Sequence, residues 1–206
     1  MTDEMSFIEK VRRAQIVEAT IDVLAELGYS NTSFAQIAKK SGISRGLISY
    51  HFKNKDDLML QVVMEVFAGN VIYVNEQVAA ETSAREKLHT YIEANLTHMG
   101  QQPKRFLAMI EVVMNAKTSD GESIFKAISQ ADDDELGYTD LENIFRAGQA
   151  SGEFRDFDSR VMAIALRGAI DKVLGQIAAH PTLDLEHHIQ QLVTLFDQAT
   201  KAEKHD

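Results

Sequence analysis

The sequence predicts an all-α fold of about nine helices, and three observations carry that prediction. Ser or Thr followed three residues later by Glu or Gln, the reciprocal cap of a helix start, occurs at Ser6–Glu9, Ser33–Gln36, Ser83–Glu86, Ser119–Glu122 and Thr139–Glu142. Strand signals are nearly absent. Both prolines fall at segment boundaries, Pro103 where a helix opens and Pro181 where a long apolar one closes.

Taken in order, the first helix covers 7–27, between the Ser6 cap and Gly28, where a glycine can take the left-handed turn that ends a helix. Ser33 opens a short helix over 34–40 that Gly42 ends, and Ser44 opens another over 45–51. Asn54 caps a long helix over 55–80, with Asp56 and Asp57 placed to favour its dipole. Helices over 84–100 and 104–117 follow. A segment over 120–150 breaks near Gly137 and stops before Gly152, and the last two helices cover 158–179 and 184–203. The acidic run "ADDDELG" at 131–137 reads as a solvated bend, because it lacks the distal glutamate of a calcium loop.

Composition bounds the chemistry. The 206 residues are 45% hydrophobic and 25% charged, as in a soluble globular protein. Cysteine is absent, which removes disulfides, thiolate metal ligands and thiol nucleophiles. The acidic start "MTDEMSF" does not read as a signal peptide. The most apolar long stretch, "VMAIALRGAIDKVLGQIA", is interrupted by Arg167, Asp171 and Lys172, so it reads as a buried helix rather than a membrane span. A cytoplasmic protein without a membrane partner is expected. There is no Gly-rich phosphate loop, Gly-x-Ser-x-Gly elbow or His-Glu-x-x-His helix. The adjacent His187 and His188 point to different sides of a helix and do not readily share a metal. No catalytic residue, metal or cofactor is therefore expected, and the chain is not expected to be an enzyme.

The net charge of −10 argues against a nucleic-acid partner, but its distribution reverses that locally. From Asn31 to Lys55 the charged residues are Lys39, Lys40, Arg45, Lys53 and Lys55, with no Asp or Glu, while residues 57–206 carry a net −11. A basic patch on an acidic body is what phosphate contact requires, because that contact is local.

The same stretch, "TSFAQIAKKSGISRGLISYHF", holds two short helices joined by a tight glycine turn, a helix-turn-helix unit. Ala38 is small where the second helix crosses, Gly42 supplies the turn, and Ile48 plugs the space between the helices. Ile16 and Ala19, Gly28-Tyr29, Thr32-Ser33, Ile37-Ala38, Gly42-Ile43-Ser44, Gly46, His51-Phe52 and Lys55 to Leu58 together resemble the TetR/AcrR family of one-component bacterial transcriptional regulators. The likeness is dense over the first quarter of the chain. Beyond Leu58 it is one of length and helical layout. One departure is Ser49, which stands where the family commonly has a tyrosine, with Tyr50 one place on.

The resemblance implies that 45–51 is a recognition helix for the major groove of double-stranded DNA. Arg45 is then the base reader, since its fork can take both guanine acceptors. Gly46 allows close approach, and Leu47 offers only apolar contact. Tyr50, His51, Lys55 and the helix start at Ser33 suit phosphates, with Ser44 and Ser49 on the same surface.

The expected organisation is a DNA-binding domain over 1–54 and a helical effector-binding and dimerisation domain over 55–206. Ala165, Gly168, Gly175 and Ala179 form a stripe of small residues, and Leu185, Ile189, Leu192, Val193 and Phe196 lie along one face of the last helix. The resemblance implies that these two helices pair with their copies in a homodimer, as two half-sites on DNA require. Met99, Phe106, Met109, Ile110, Met114, Phe125, Phe145 and Met162 concentrate in the middle helices. The family's habit makes them candidate walls for a small, mostly apolar effector, and ordinary core is the alternative. Arg167 and Asp171, four apart, are expected to pair with each other. The function expected is a homodimeric repressor released from a palindromic operator by its effector. The alternative is an activator, or an architectural DNA-binding protein with no effector response.

Overall fold

The computed structural model describes residues 6–117, 121, 124, 138–180 and 182–202. Among these are nine helices: α1 (Phe7–Leu27), α2 (Phe34–Ser41), α3 (Arg45–His51), α4 (Lys55–Ala79), α5 (Ala84–Gly100), α6 (Pro103–Asn115), α7 (Tyr138–Ser151), α8 (Ser159–Ala179) and α9 (Leu185–Thr200). The fold is all-α, as expected. Among the described residues an antiparallel bridge pairs Phe154 with Lys201.

Local chemistry accounts for most boundaries. Ser6 and Ser83 form complete reciprocal caps with Glu9 and Glu86. Ser33 accepts the Gln36 N–H, but its own hydroxyl donates to the Gln36 carboxamide. Asn54 accepts from the Asp57 N–H at 2.8 Å. Thr139 is not a cap, because α7 already begins at Tyr138. Ser119–Glu122, the acidic run at 131–137 and Pro181 lie outside the described residues.

The chain divides into two compact units, and the division falls inside α4, between Phe67 and Ala68, with α6 joining the N-terminal unit. The expected boundary at 54/55 falls between α3 and α4. In the first unit α1 packs against both α2 and α3. It buries Ile16, Val17, Ile21 and Leu24, while Ile37, Ile48 and Phe52 are fully buried in the elements it supports. Each such side chain contributes roughly 1.5–3 kcal/mol by leaving water. From α4 the unit takes Leu58, Met59, Val62, Val63 and Val66, and from α6 Phe106, Ala108 and Val112, all buried. By length and composition α4 could cross a membrane, with a mean hydropathy of 1.4 over its most apolar window. These buried side chains give its apolarity a place in the fold.

In the second unit α5 packs against α7, α8 and α9. Phe145, Phe154 and Phe157 form an aromatic cluster with ring centroids 5.3–6.4 Å apart. Gly148 admits it: a Cβ there would lie 2.1 Å from the Phe154 ring. Arg85 on α5 makes a two-pronged pair with Asp197 on α9, at 2.5 and 2.9 Å, and His89 Nε2 joins at 2.9 Å.

Candidate nucleic-acid interface

The recognition helix is built from short-range features. Gly42 ends α2 with φ 71° and ψ 19°, the left-handed conformation that favours glycine. Two residues on, the Ser44 hydroxyl accepts the Leu47 N–H at 3.2 Å and starts α3. Ile48 then points into the unit's interior with no exposed surface. That one buried position sets the rotation of the whole seven-residue helix. It leaves Arg45, Gly46, Ser49 and Tyr50 exposed, Tyr50 by 73%, with Leu47 and His51 half-buried. Ser33 and Ser44 are exposed at the starts of α2 and α3.

The far end of α3 is held by a residue that sequence reasoning missed. Arg13 on α1 donates to the His51 carbonyl, reaches Gln61 at 3.3 Å, and stacks its guanidinium 4.2 Å from the Phe52 ring centre. The helix is thus pinned at a terminal carbonyl, where a cation also favours the dipole. Nothing local signals this, since 38 residues separate the partners.

The five cations of the basic stretch divide by role. Lys40 pairs with Glu26 at 2.6 Å and approaches Asp22 at 3.9 Å, and its hydrogen bond to Glu26 raises its pKa. Lys55, expected at phosphate, is turned inward. Its ammonium donates to the Tyr29 carbonyl at 2.6 Å and lies 3.9 Å from the centre of the Tyr29 ring. Burial lowers the Lys55 pKa against a smaller opposing effect of Asp56, and burial with Asp56 raises that of Tyr29. The reason is reach: Lys55 opens α4 beside the α1–α2 turn, and the carbonyl and ring there outcompete solvent for the ammonium. Lys39, Arg45 and Lys53 remain exposed, with no side-chain ion pair among the described residues.

The expected dimer residues separate into two groups. On α8, Ala165, Gly168, Gly175 and Ala179 are all exposed, beside exposed Val161 and Ile164. A Cβ at Gly168 or Gly175 would meet nothing within 4 Å. On α9, Ile189 and Phe196 are buried in the chain's own interior, and Leu185 covers Gly100 of α5. The stripe through Leu185, Ile189 and Phe196 is the face α9 turns to its own chain, with Leu192 and Val193 half-buried at its margin. The exposed apolar residue of α9 is Leu195.

The candidate effector residues are divided between the two units. Phe106, Met109, Ile110 and Met114 belong to the first unit, and Met99, Phe145 and Met162 to the second. Met99, Phe106 and Phe145 are buried, Met109 and Met162 half-buried, and Ile110 and Met114 exposed. Phe125 lies outside the described residues. Phe145 is committed to the aromatic cluster, which makes it core. An open groove of about 190 Å³ in the second unit is lined by Tyr73, Gln77, Thr90, Glu93, Ala94 and Thr97, none of them among the expected residues.

Arg167 and Asp171 do pair, at 2.9 Å, and Arg167 also donates to Asn95 Oδ1 at 3.1 Å. Burial works against the Arg167 charge, but Asp171 and Tyr91 outweigh it and raise the pKa. Asn95 Oδ1 accepts in turn from Asn70 at 2.9 Å. Asn70 is buried and bonded through its amide nitrogen, and α4 runs unbroken past it.

A capped pair of short helices joined at a left-handed glycine, with Arg45 exposed at the start of the second, is a helix-turn-helix unit. Residues 16–62 match the family described as "Bacterial regulatory proteins, tetR family", and that match covers the helix-turn-helix and the start of α4. The chain is 26% identical over 163 residues to the "Fatty acid metabolism regulator protein" of Bacillus subtilis, an alignment covering 78% of this chain and 80% of the relative. It is 36% identical over 59 residues to the "HTH-type transcriptional regulator BetI" of Klebsiella pneumoniae, covering 29% of this chain but only 30% of that relative. In fold it is similar to the fatty acid degradation regulator FadR of Bacillus halodurans, with TM-score 0.77 and 20% identity, over 90% of this chain and 94% of the other. The Bacillus subtilis FadR structure in complex with stearoyl-CoA gives TM-score 0.76 at 22% identity, over 88% and 96% of the two chains.

Proposed function

We propose that the protein is a cytoplasmic homodimeric repressor that reads a two-fold symmetric operator through Arg45 and leaves it on binding an effector with a long apolar chain. The observation that carries the DNA-reading part is the state of Arg45. It is an exposed guanidinium, with no ion pair among the described residues, at the first position of a helix held by Ser44 at one end and Arg13 at the other. Its fork can take guanine O6 and N7 in the major groove. Lys39, Lys53, Tyr50 and the α2 start at Ser33 suit the flanking phosphates, which fix register without specifying sequence. His51 and Ser49 complete that surface.

One seven-residue helix reads few base pairs, so two copies about 34–36 Å apart are required for an operator. The exposed stripe on α8 supports a close two-fold helix contact, with Leu195 of α9 extending it. The effector class rests on the likeness to a fatty acid metabolism regulator over four-fifths of its length, and on a similar fold that holds stearoyl-CoA. Release requires that the effector bind a non-reading conformation more tightly, because a ligand that binds both states equally shifts nothing. The test is operator binding with stearoyl-CoA or free coenzyme A added. Release by the first alone is expected. Binding that ignores both would remove the effector class from this reading, and DNA binding without any sequence preference would remove the reading itself.

A further inference from the structure

Tyr29 lies in the turn from α1 to α2, and both of its main-chain polar groups are held by side chains from other helices. Its N–H donates to the Glu111 carboxylate of α6 at 2.9 Å, across 82 residues of sequence. Its carbonyl accepts from the Lys55 ammonium of α4 at 2.6 Å. The preceding Gly28 has φ 75°, and the Glu111 carboxylate would lie 3.3 Å from a Cβ placed on it. The Thr32 hydroxyl donates to the Gly28 carbonyl at 2.8 Å, and Ser33 then caps α2. The turn is therefore closed on itself and tied outward at one residue.

Helix α6 also touches α1 through Lys104–Asp22 at 3.1 Å and through Arg105–Glu18. Those are ion pairs between long side chains, which slide and are screened by solvent. The Glu111 bond is different in kind: it is charge-assisted and grips the main chain. Asn115, one turn on, donates to the same carboxylate at 3.4 Å and to the Glu111 carbonyl at 2.9 Å, which orients the side chain. Rotation about Tyr29 would carry Ser33 and α2 with it. Because α2 and α3 share the tight Gly42 turn, the reading helix would follow.

We infer that Glu111 is a positioning residue for DNA reading: it sets the α1–α2 turn through the Tyr29 N–H, and a displacement of α6 reaches α3 through that bond. This rests on the DNA-reading function proposed above. Glu111 touches no base or phosphate. It acts through Tyr29, with Lys55 holding the other side of the same residue.

The test compares Glu111→Ala, Glu111→Asp and Glu111→Gln with Lys104→Ala, using the DNA site that the wild-type protein recovers from a random-site pool. Amide exchange at Tyr29 is measured beside it and does not depend on DNA. Glu111→Ala and Glu111→Asp are expected to weaken binding about tenfold, the scale of a lost charge-assisted bond. In both, Tyr29 exchanges faster while the Ile37 and Ile48 amides do not. Glu111→Gln keeps an acceptor and stays close to wild type, as does Lys104→Ala. Wild-type affinity in Glu111→Asp, equal loss in Glu111→Gln, equal loss in Lys104→Ala, or faster exchange throughout the unit would each overturn the inference. A wild-type protein that recovers no site defeats the function instead, and the Tyr29 exchange result then stands alone.

Discussion

Arg45 and Lys55 were alike in the sequence, two cations ten residues apart in one acid-free stretch, and the structure gives them opposite postures. Arg45 is exposed and has no ion pair among the described residues, whereas Lys55 is spent on the Tyr29 carbonyl and ring. Arg45→Ala should therefore cost about 1–3 kcal/mol of operator affinity and relax the preference at one symmetric position. Quantitative binding to a panel of single-base variants checks this, and uniform loss across the panel would refute base reading. Lys39→Ala and Lys53→Ala should each flatten the salt dependence by about one counterion without changing preference. Lys55→Ala should behave differently from both. Its chief effect should be a lower melting temperature of the DNA-binding unit, with the salt slope nearly unchanged. A reduced slope at wild-type stability would restore Lys55 to the phosphate surface.

The elements explain what was legible. The helix-turn-helix could be read because its determinants are local: a serine cap, a left-handed glycine, and one buried isoleucine that fixes rotation. The partner of the α9 stripe is not legible, because an apolar face at helical spacing looks the same whether it meets its own chain or another. Arg13 and Glu111 carry no local signal at all, since their partners lie 38 and 82 residues away. The two glycine types now separate. Gly168→Leu adds bulk where nothing within the chain lies near, so a stable monomer is expected in sedimentation, in place of a dimer. A variant that remains a native dimer would remove α8 from the interface. Gly148→Ala places a Cβ against the Phe154 ring and should destabilise by about 1–3 kcal/mol of overpacking, measured by denaturant melts.

The Asp197 contact between α5 and α9 also makes a pH prediction. Burial works to raise this carboxyl, but Arg85 and His89 outweigh it and hold it below its ordinary value. A carboxyl whose folded pKa is depressed stabilises fully above its unfolded pKa, and that contribution is lost as pH falls through the folded value. The melting temperature should therefore drop steeply below about pH 4. Asp197→Asn should be less stable at pH 7 and show a shallower acid limb. Equal acid limbs would show that Asp197 is not a source of the loss.

At the scale of the whole molecule, function rests on charge separation: exposed cations on the N-terminal face and an excess of acid elsewhere keep DNA contact local on a chain of net charge −10. The effector stayed illegible because Met and Phe at helical spacing serve core and cavity alike, and Phe145 has proved to be core. The central claim is sequence-specific reading by paired copies of α3, and random-site DNA selection with the purified protein tests it most directly. The account predicts a two-fold symmetric consensus with half-sites about one helical turn apart, or a multiple of it, and a guanine in each half that Arg45→Ala no longer enriches. Recovery of no consensus, or of one unchanged by Arg45→Ala, would contradict it.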